Sequence, residues 1–144
     1  MITYKGIVED NNLELDLSYI GNILSVEQIL IVMKSMSPDF IEINGNIYLK
    51  SNFESYGSDN NRFEYSQKGK EKYINTISIS DVFYFSSDKE THKKEVQKKI
   101  GLYILEFWKI RLNFLLPDKN FEFMLFEDGL YDESGVCITF NQTH

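Results

Sequence analysis

The stretch that most constrains the fold is SSDKETHKKEVQKKIGLYILEFWKIRLNFLLP, residues 86–117, which has the pattern of one long helix. Val96, Ile100, Tyr103, Phe107, Ile110 and Phe114 recur at alternating intervals of four and three, so they fall along one side of a 3.6-residue repeat. Ile104, Trp108, Leu112 and Leu115 widen that apolar stripe in the second half. Ser87 with Glu90 forms a capping box at the start, and Pro117 sets the end because it disfavours helical geometry in the residue before it. At 1.5 Å per residue the interval reaches about 40 Å, so the rest of the chain must be arranged along it. Its first two turns are almost entirely polar, so that end is expected to project from the body.

The flanking segments supply short elements. In SVEQILIVMKSM, Ser25 and Gln28 form another capping box, and Val26, Ile29, Leu30 and Met33 share a helical face that ends at Ser37-Pro38. FIEINGNIYLK carries Asn44-Gly45 between apolar arms, the signal of a two-residue hairpin whose turn needs positive φ at both central positions. ITYKGIVEDNNLELDL reads as two strands joined at Asp10-Asn11-Asn12. SNFESYGSDNN reads as a loop, RFEYSQK and KYINTISI as strands turned at Lys68-Gly69-Lys70, and NFEFMLFED and VCITFN as a closing strand pair. The expectation is an α+β fold: a mostly antiparallel sheet with one short helix and one long C-terminal-half helix packed on it. Residues 1–144 form a single globular domain in this reading, since 42% hydrophobic and 15% aromatic content is ample for one core at this length.

Charge is distributed unevenly. Residues 1–61 hold three basic and nine acidic side chains, residues 62–116 eleven and seven, and residues 117–144 one and six, within a net charge of −7. That balance argues against a general nucleic-acid binder and suits a basic partner. The lysine-rich KGKEK and HKKEVQKK segments are interrupted by glutamates and read as solvated faces, so the aromatic residues between Tyr4 and Phe85 are not taken as a stacking platform for single strands. The start of the chain lacks a signal-peptide pattern and the longest apolar run, Ile29 to Met33, is far too short for a membrane span. A cytoplasmic protein with no membrane partner is expected, in agreement with a single cysteine.

Most chemical signatures are absent. One Cys and two His, namely Cys137, His92 and His144, do not make a structural zinc site; His92 reads as a solvated helix residue and Cys137 as a small strand residue. No phosphate-binding glycine loop and no nucleophile elbow occurs, so neither cofactor nor metal is expected. The stretch FEDGLYDESG, residues 126–135, places Glu127, Asp128, Asp132 and Glu133 around Gly129, without the ligand spacing of an EF-hand. Glu127 could pair with Glu122 or Glu106 for glycoside hydrolysis, but nothing in the sequence singles that pairing out, whereas a solvated turn at Asp128-Gly129 and Ser134-Gly135 accounts for the carboxylates as well as any functional reading does.

A small acidic α+β chain with no catalytic signature, and with an aromatic-rich helix running through EFWKIRLNFLLPDKNFEFMLFEDG into a strand pair, resembles the immunity proteins encoded beside bacterial toxin domains, including those of contact-dependent growth inhibition. The resemblance implies a protein that binds a cognate toxin domain, a basic nuclease in the leading reading, and occludes its active surface as a monomer or weak homodimer. Glu127, Asp128, Tyr131, Asp132 and Glu133 are the expected contact surface, with Glu54, Tyr56 and Asp59 as a second. Two other readings stay open: a small-molecule enzyme or binder with a pocket between sheet and helix lined by Tyr103, Phe107 and Trp108, and a structural subunit that associates with itself.

Overall fold

A computed structural model describes residues 21–56 and 67–143. Helix α1 (Val26–Met36) begins with the reciprocal capping box read from the sequence: Gln28 N donates to Ser25 Oγ at 3.1 Å, and Ser25 N donates to Gln28 Oε1 at 2.9 Å. Strands β1 (Phe40–Ile43) and β2 (Asn46–Leu49) form the expected hairpin, with φ of 51° at Asn44 and 81° at Gly45. There follow α2 (Lys50–Tyr56), α3 (Gln67–Ile74), β3 (Ile77–Ser78), α4 (Ile79–Val82), a 3-10 turn (Lys89–His92), the long helix α5 (Lys94–Leu115), β4 (Asn120–Phe126) and β5 (Cys137–Thr143). The fold is α+β, and among the described residues all strand pairing is antiparallel: one sheet is β1-β2 and the other has the order β3-β5-β4. The expected strands within residues 2–17 and the RFEYS part of another, residues 62–66, lie outside the described residues.

Central strand β5 is buried from Cys137 to Gln142, on both faces, because helices cover both. On one side α5 comes so close at Gly101 that an added Cβ would lie 3.0 Å from Ile138 Cγ2 and 3.1 Å from Leu125 Cδ1. Trp108 stands edge-on to Phe140 with centroids 5.9 Å apart. On the other side Thr139 Oγ1 donates to Lys72 O of α3 at 2.6 Å. The core joins Ile47 and Leu49 of β2, Ile79 of α4, Leu105, Trp108 and Leu112 of α5, and Val136, Ile138 and Phe140 at β5.

Four sequence expectations change. Residues 51–56, read as part of a loop, lie in helix α2. The segment turned at Lys68-Gly69-Lys70 is helical, α3, and its last turn, closed by Asn75 N donating to Glu71 O at 3.0 Å, sets Glu71 and Asn75, the residue just past its end, on one side. Of the expected stripe and its widening, Trp108 and Leu112 are buried and Ile100 and Ile104 pack against the core, but the buried line of α5 is rotated to Gln97, Gly101, Leu105, Trp108 and Leu112. Phe107, Ile110 and Phe114 are left 42%, 59% and 82% exposed. Gly101 explains the rotation, since only a residue without a side chain permits the approach to β5. Finally, the polar start of α5 is docked rather than projecting. Buried Gln97 donates to Thr91 O at 2.9 Å and accepts from Ser80 Oγ at 2.7 Å, while Asp88, not Ser87, caps the preceding turn. Lys93 has extended backbone, φ −75° and ψ 129°, which separates that turn from α5.

The two sheets are not continuous; the side chains of Glu71 in α3 and of Asn75 just past its end join them. In β2, the N–H of Ile47 donates to Glu71 Oε2 at 3.1 Å and the N–H of Leu49 to Asn75 Oδ1 at 2.8 Å. From the other side, Gln142 N of β5 donates to Glu71 Oε1, and Asn75 Nδ2 donates to Ile47 O at 2.9 Å and Phe140 O at 3.3 Å. Gln142 Nε2 adds a bond to Glu71 Oε2 at 3.2 Å and one to Gly45 O at 2.8 Å. A carboxylate and a carboxamide thus replace a missing strand-to-strand ladder, and both are 1% exposed or less. Burial together with the Glu71 charge pushes the neighbouring Tyr48 phenol up. Replacing Glu71 by Ala orphans two buried N–H groups at about 1–3 kcal/mol each. Glu71→Ala is therefore expected to lose about 3 kcal/mol or more in urea unfolding, and Glu71→Gln, which keeps one acceptor oxygen, to lose less.

Candidate protein-binding surface

The loop from Glu127 to Gly135 connects β4 to β5 and is closed on itself. Gly129 N donates to Gly135 O at 2.7 Å, and Leu130 and Glu133 exchange backbone bonds at 3.1 and 3.0 Å. Tyr131 turns the tip with φ 55°, unusual for a bulky residue and enforced by that pair of bonds. Gly135, at φ 69°, lies against Ser80, where any Cβ would collide with the hydroxyl oxygen. Ser80 Oγ accepts from Val136 N at 3.1 Å, and Ser78 Oγ donates to Ser134 O at 2.7 Å. The loop is therefore a rigid tip on the sheet.

Its carboxylates divide into two groups. Glu127 and Asp128 face the start of α5, at 2.6 Å from Lys98 Nζ and 2.7 Å from Lys94 Nζ. Hydrogen bonds to those carboxylates raise both lysines above their ordinary range. Asp132 and Glu133 stand on the other side with Asp81 of α4. There, partial burial, a hydrogen bond to Asp81 and the charges of Asp81 and Asp132 push the Glu133 carboxyl up. Burial likewise pushes the Cys137 thiol up, away from nucleophilic behaviour. Among the described residues, no group of three or more His, Cys, Asp or Glu is placed to hold a metal ion, and no helix is long and apolar enough to cross a membrane.

One residue of the second expected surface, Tyr56, meets two of the first, Tyr131 and Glu133, in space. Tyr56, at the end of α2, and Tyr131 and Glu133 of the loop line one cleft with Tyr73, Ile74 and Thr76. Tyr131 meets Tyr73 edge-on, centroids 5.3 Å apart, and Tyr56 is 61% exposed. Glu54 lies on α2 with Lys50 at 4.0 Å, and Asp59 lies outside the described residues. Tyr73 was missed by sequence reasoning because the segment was read as a strand. The cleft holds about 40 Å³, room for a water or two against the ~300–1,000 Å³ of a metabolite pocket. The alternative pocket of Tyr103, Phe107 and Trp108 does not form, since Trp108 is sealed in the core and Phe107 is turned outward. Comparison with protein-family models, curated proteins and solved structures finds no match.

Because the Glu133 carboxyl is raised in the folded state, its ionisation costs stability. That cost is absent well below the ordinary value of 4.5, where the group is protonated folded and unfolded, grows as pH rises through that value, and is complete above the raised one. Glu133→Gln should therefore melt at a higher temperature than the parent chain at pH 7, and the difference should vanish at about pH 3. A constant difference across that window would contradict the carboxylate crowding.

Proposed function

We propose that this chain is a protein-binding inhibitor, an immunity protein that neutralises a cognate bacterial toxin domain in the cytosol by occluding a basic active surface. The observation that supports this reading most is the convergence of Tyr56, Tyr73 and Tyr131 beside Glu133 on a loop pinned at both ends. Tyrosines at the centre of a contact supply large buried area at small entropic cost, and rigid carboxylates around them favour a basic partner and steer it in. The charge that carries such steering differs from the sequence expectation. Glu127 and Asp128 are committed to Lys98 and Lys94, so the acidic side of the contact is Asp132 and Glu133, backed by Asp81. A nuclease suits that chemistry, because its cleft is basic to hold phosphates.

The test is capture from native cytosol with the tagged chain, followed by an assay of whether the captured domain is toxic and is suppressed at a 1:1 ratio. Tyr56→Ala and Tyr131→Asn, the latter chosen because asparagine tolerates positive φ, are each expected to weaken that complex at least tenfold, about 1.4 kcal/mol, at unchanged melting temperature. Binding should also fall as salt is raised. A captured partner that is not toxic, or full suppression by both tyrosine variants, would contradict the proposal.

A further inference from the structure

Helix α1, unlike the polar α2 and 3-10 turn that also lack buried residues, leaves an apolar sequence exposed. It is eleven residues long, carries a strongly apolar sequence, VEQILIVMKSM, and contains no buried residue. Its inner side is held by Trp108 Nε1 donating to Ser35 O at 3.1 Å, with Ile29 and Met36 half-buried there. On the opposite side Val26, Leu30 and Ile31 are 75%, 59% and 58% exposed, and Glu27 and Lys34 share that face with them. Adding Ile23 and Met33, at 57% and 58%, makes a patch of five large apolar side chains on and beside one helix. Such a patch marks a contact surface rather than ordinary surface exposure.

The charges on this face indicate what covers it. Glu27 sits one turn before the Leu30-Ile31 pair and Lys34 one turn after it, so the face is apolar at its middle, negative at one end and positive at the other. A second α1 laid antiparallel across a two-fold axis between Leu30 and Ile31 brings Leu30 of each helix onto Ile31 of the other. The same operation sets Glu27 of each opposite Lys34 of the other, a self-complementary arrangement of the kind a two-fold interface requires. Lys34 Nζ is already held at 2.8 Å by Asp39 Oδ2, which positions the ammonium at the rim and holds the Asp39 carboxyl below its usual range. We propose that this outer face of α1 is a homodimer interface in which two copies of the chain pair their α1 helices antiparallel. Five apolar side chains are few against the ~20–30 residues a side of a standard interface, so the dimer is weak and forms as concentration rises. The surface is separate from the tyrosine cleft, and the inference stands whether or not the chain is a toxin inhibitor.

Sedimentation equilibrium of the full chain from about 5 to 500 μM is the test. The mass should rise from that of one chain toward that of two. Leu30→Glu should abolish the rise. Glu27→Lys and Lys34→Glu should each weaken the dimer about tenfold, and the double variant Glu27→Lys/Lys34→Glu should recover most of it, a result that nonspecific apolar adhesion cannot give. All three positions are exposed, and circular dichroism melting checks that the variants fold. A mass independent of concentration, a dimer indifferent to Leu30→Glu, or failure of the double variant to recover would overturn the antiparallel pairing. So would a chain that stays monomeric while α1 binds lipid vesicles.

Discussion

Glu71 on α3 and Asn75, the residue just past its end, stand where two sheets approach without pairing. Strand β3 covers only the first two residues of β5, so the backbone of β5 beyond Ile138 lacks a strand partner on that side. The hairpin formed by β1 and β2 turns the backbone groups of Ile47 and Leu49 toward the same gap. Buried backbone groups left unpaired cost about 1–3 kcal/mol each, so a gap lined by several of them is filled by acceptors and donors of the right kind. A carboxylate takes the two N–H groups and a carboxamide takes the mixed set, and each side chain matches the chemistry of its position. The core closes over this join, with Ile47, Leu49 and Phe140 sharing one cluster across it.

The same join places the candidate surface. Helix α3 carries Tyr73 and Ile74 into the cleft because Glu71 and Asn75 fix which of its faces looks inward. The acidic loop reaches Tyr73 because Ser78 and Ser80, at the β3–α4 junction, bind its far end. Lys94 and Lys98 neutralise one half of the loop and leave the other half crowded with carboxylates. That separates a structural use of acidic residues from one suited to recognition within nine residues of sequence.

What could be read from the sequence was whatever depends on neighbours in the chain. The capping box of α1, the Asn44-Gly45 turn, the end of α5 before Pro117 and the β4/β5 pair are local signals, and each is where the residues indicate. Helix α3 was illegible because KYINTISI alternates as a strand does, while the features that make it helical are bonds to residues 24 to 71 positions away. The facing of α5 was misread for a related reason. Its sequence carries two apolar sides, and only the close approach at Gly101 decides which one is buried. Of the site residues, Tyr56, Tyr131 and Glu133 were named from composition, but their convergence rests on that same tertiary arrangement. The second apolar side of α5, with Phe114 82% exposed, has no counterpart in the described residues.

The claim that two polar side chains weld the sheets into one platform is open to direct measurement by native-state hydrogen exchange. The amides of Ile47, Leu49 and Gln142, which bond to Glu71 and Asn75 rather than to a strand, should exchange only through the same global opening as the amides of β5 bonded to β4. Their protection should fall in parallel with those amides as denaturant is added. Exchange of Ile47, Leu49 and Gln142 through a separate, lower-energy opening while the β4/β5 ladder stays protected would show that the sheets part independently, and would contradict the account.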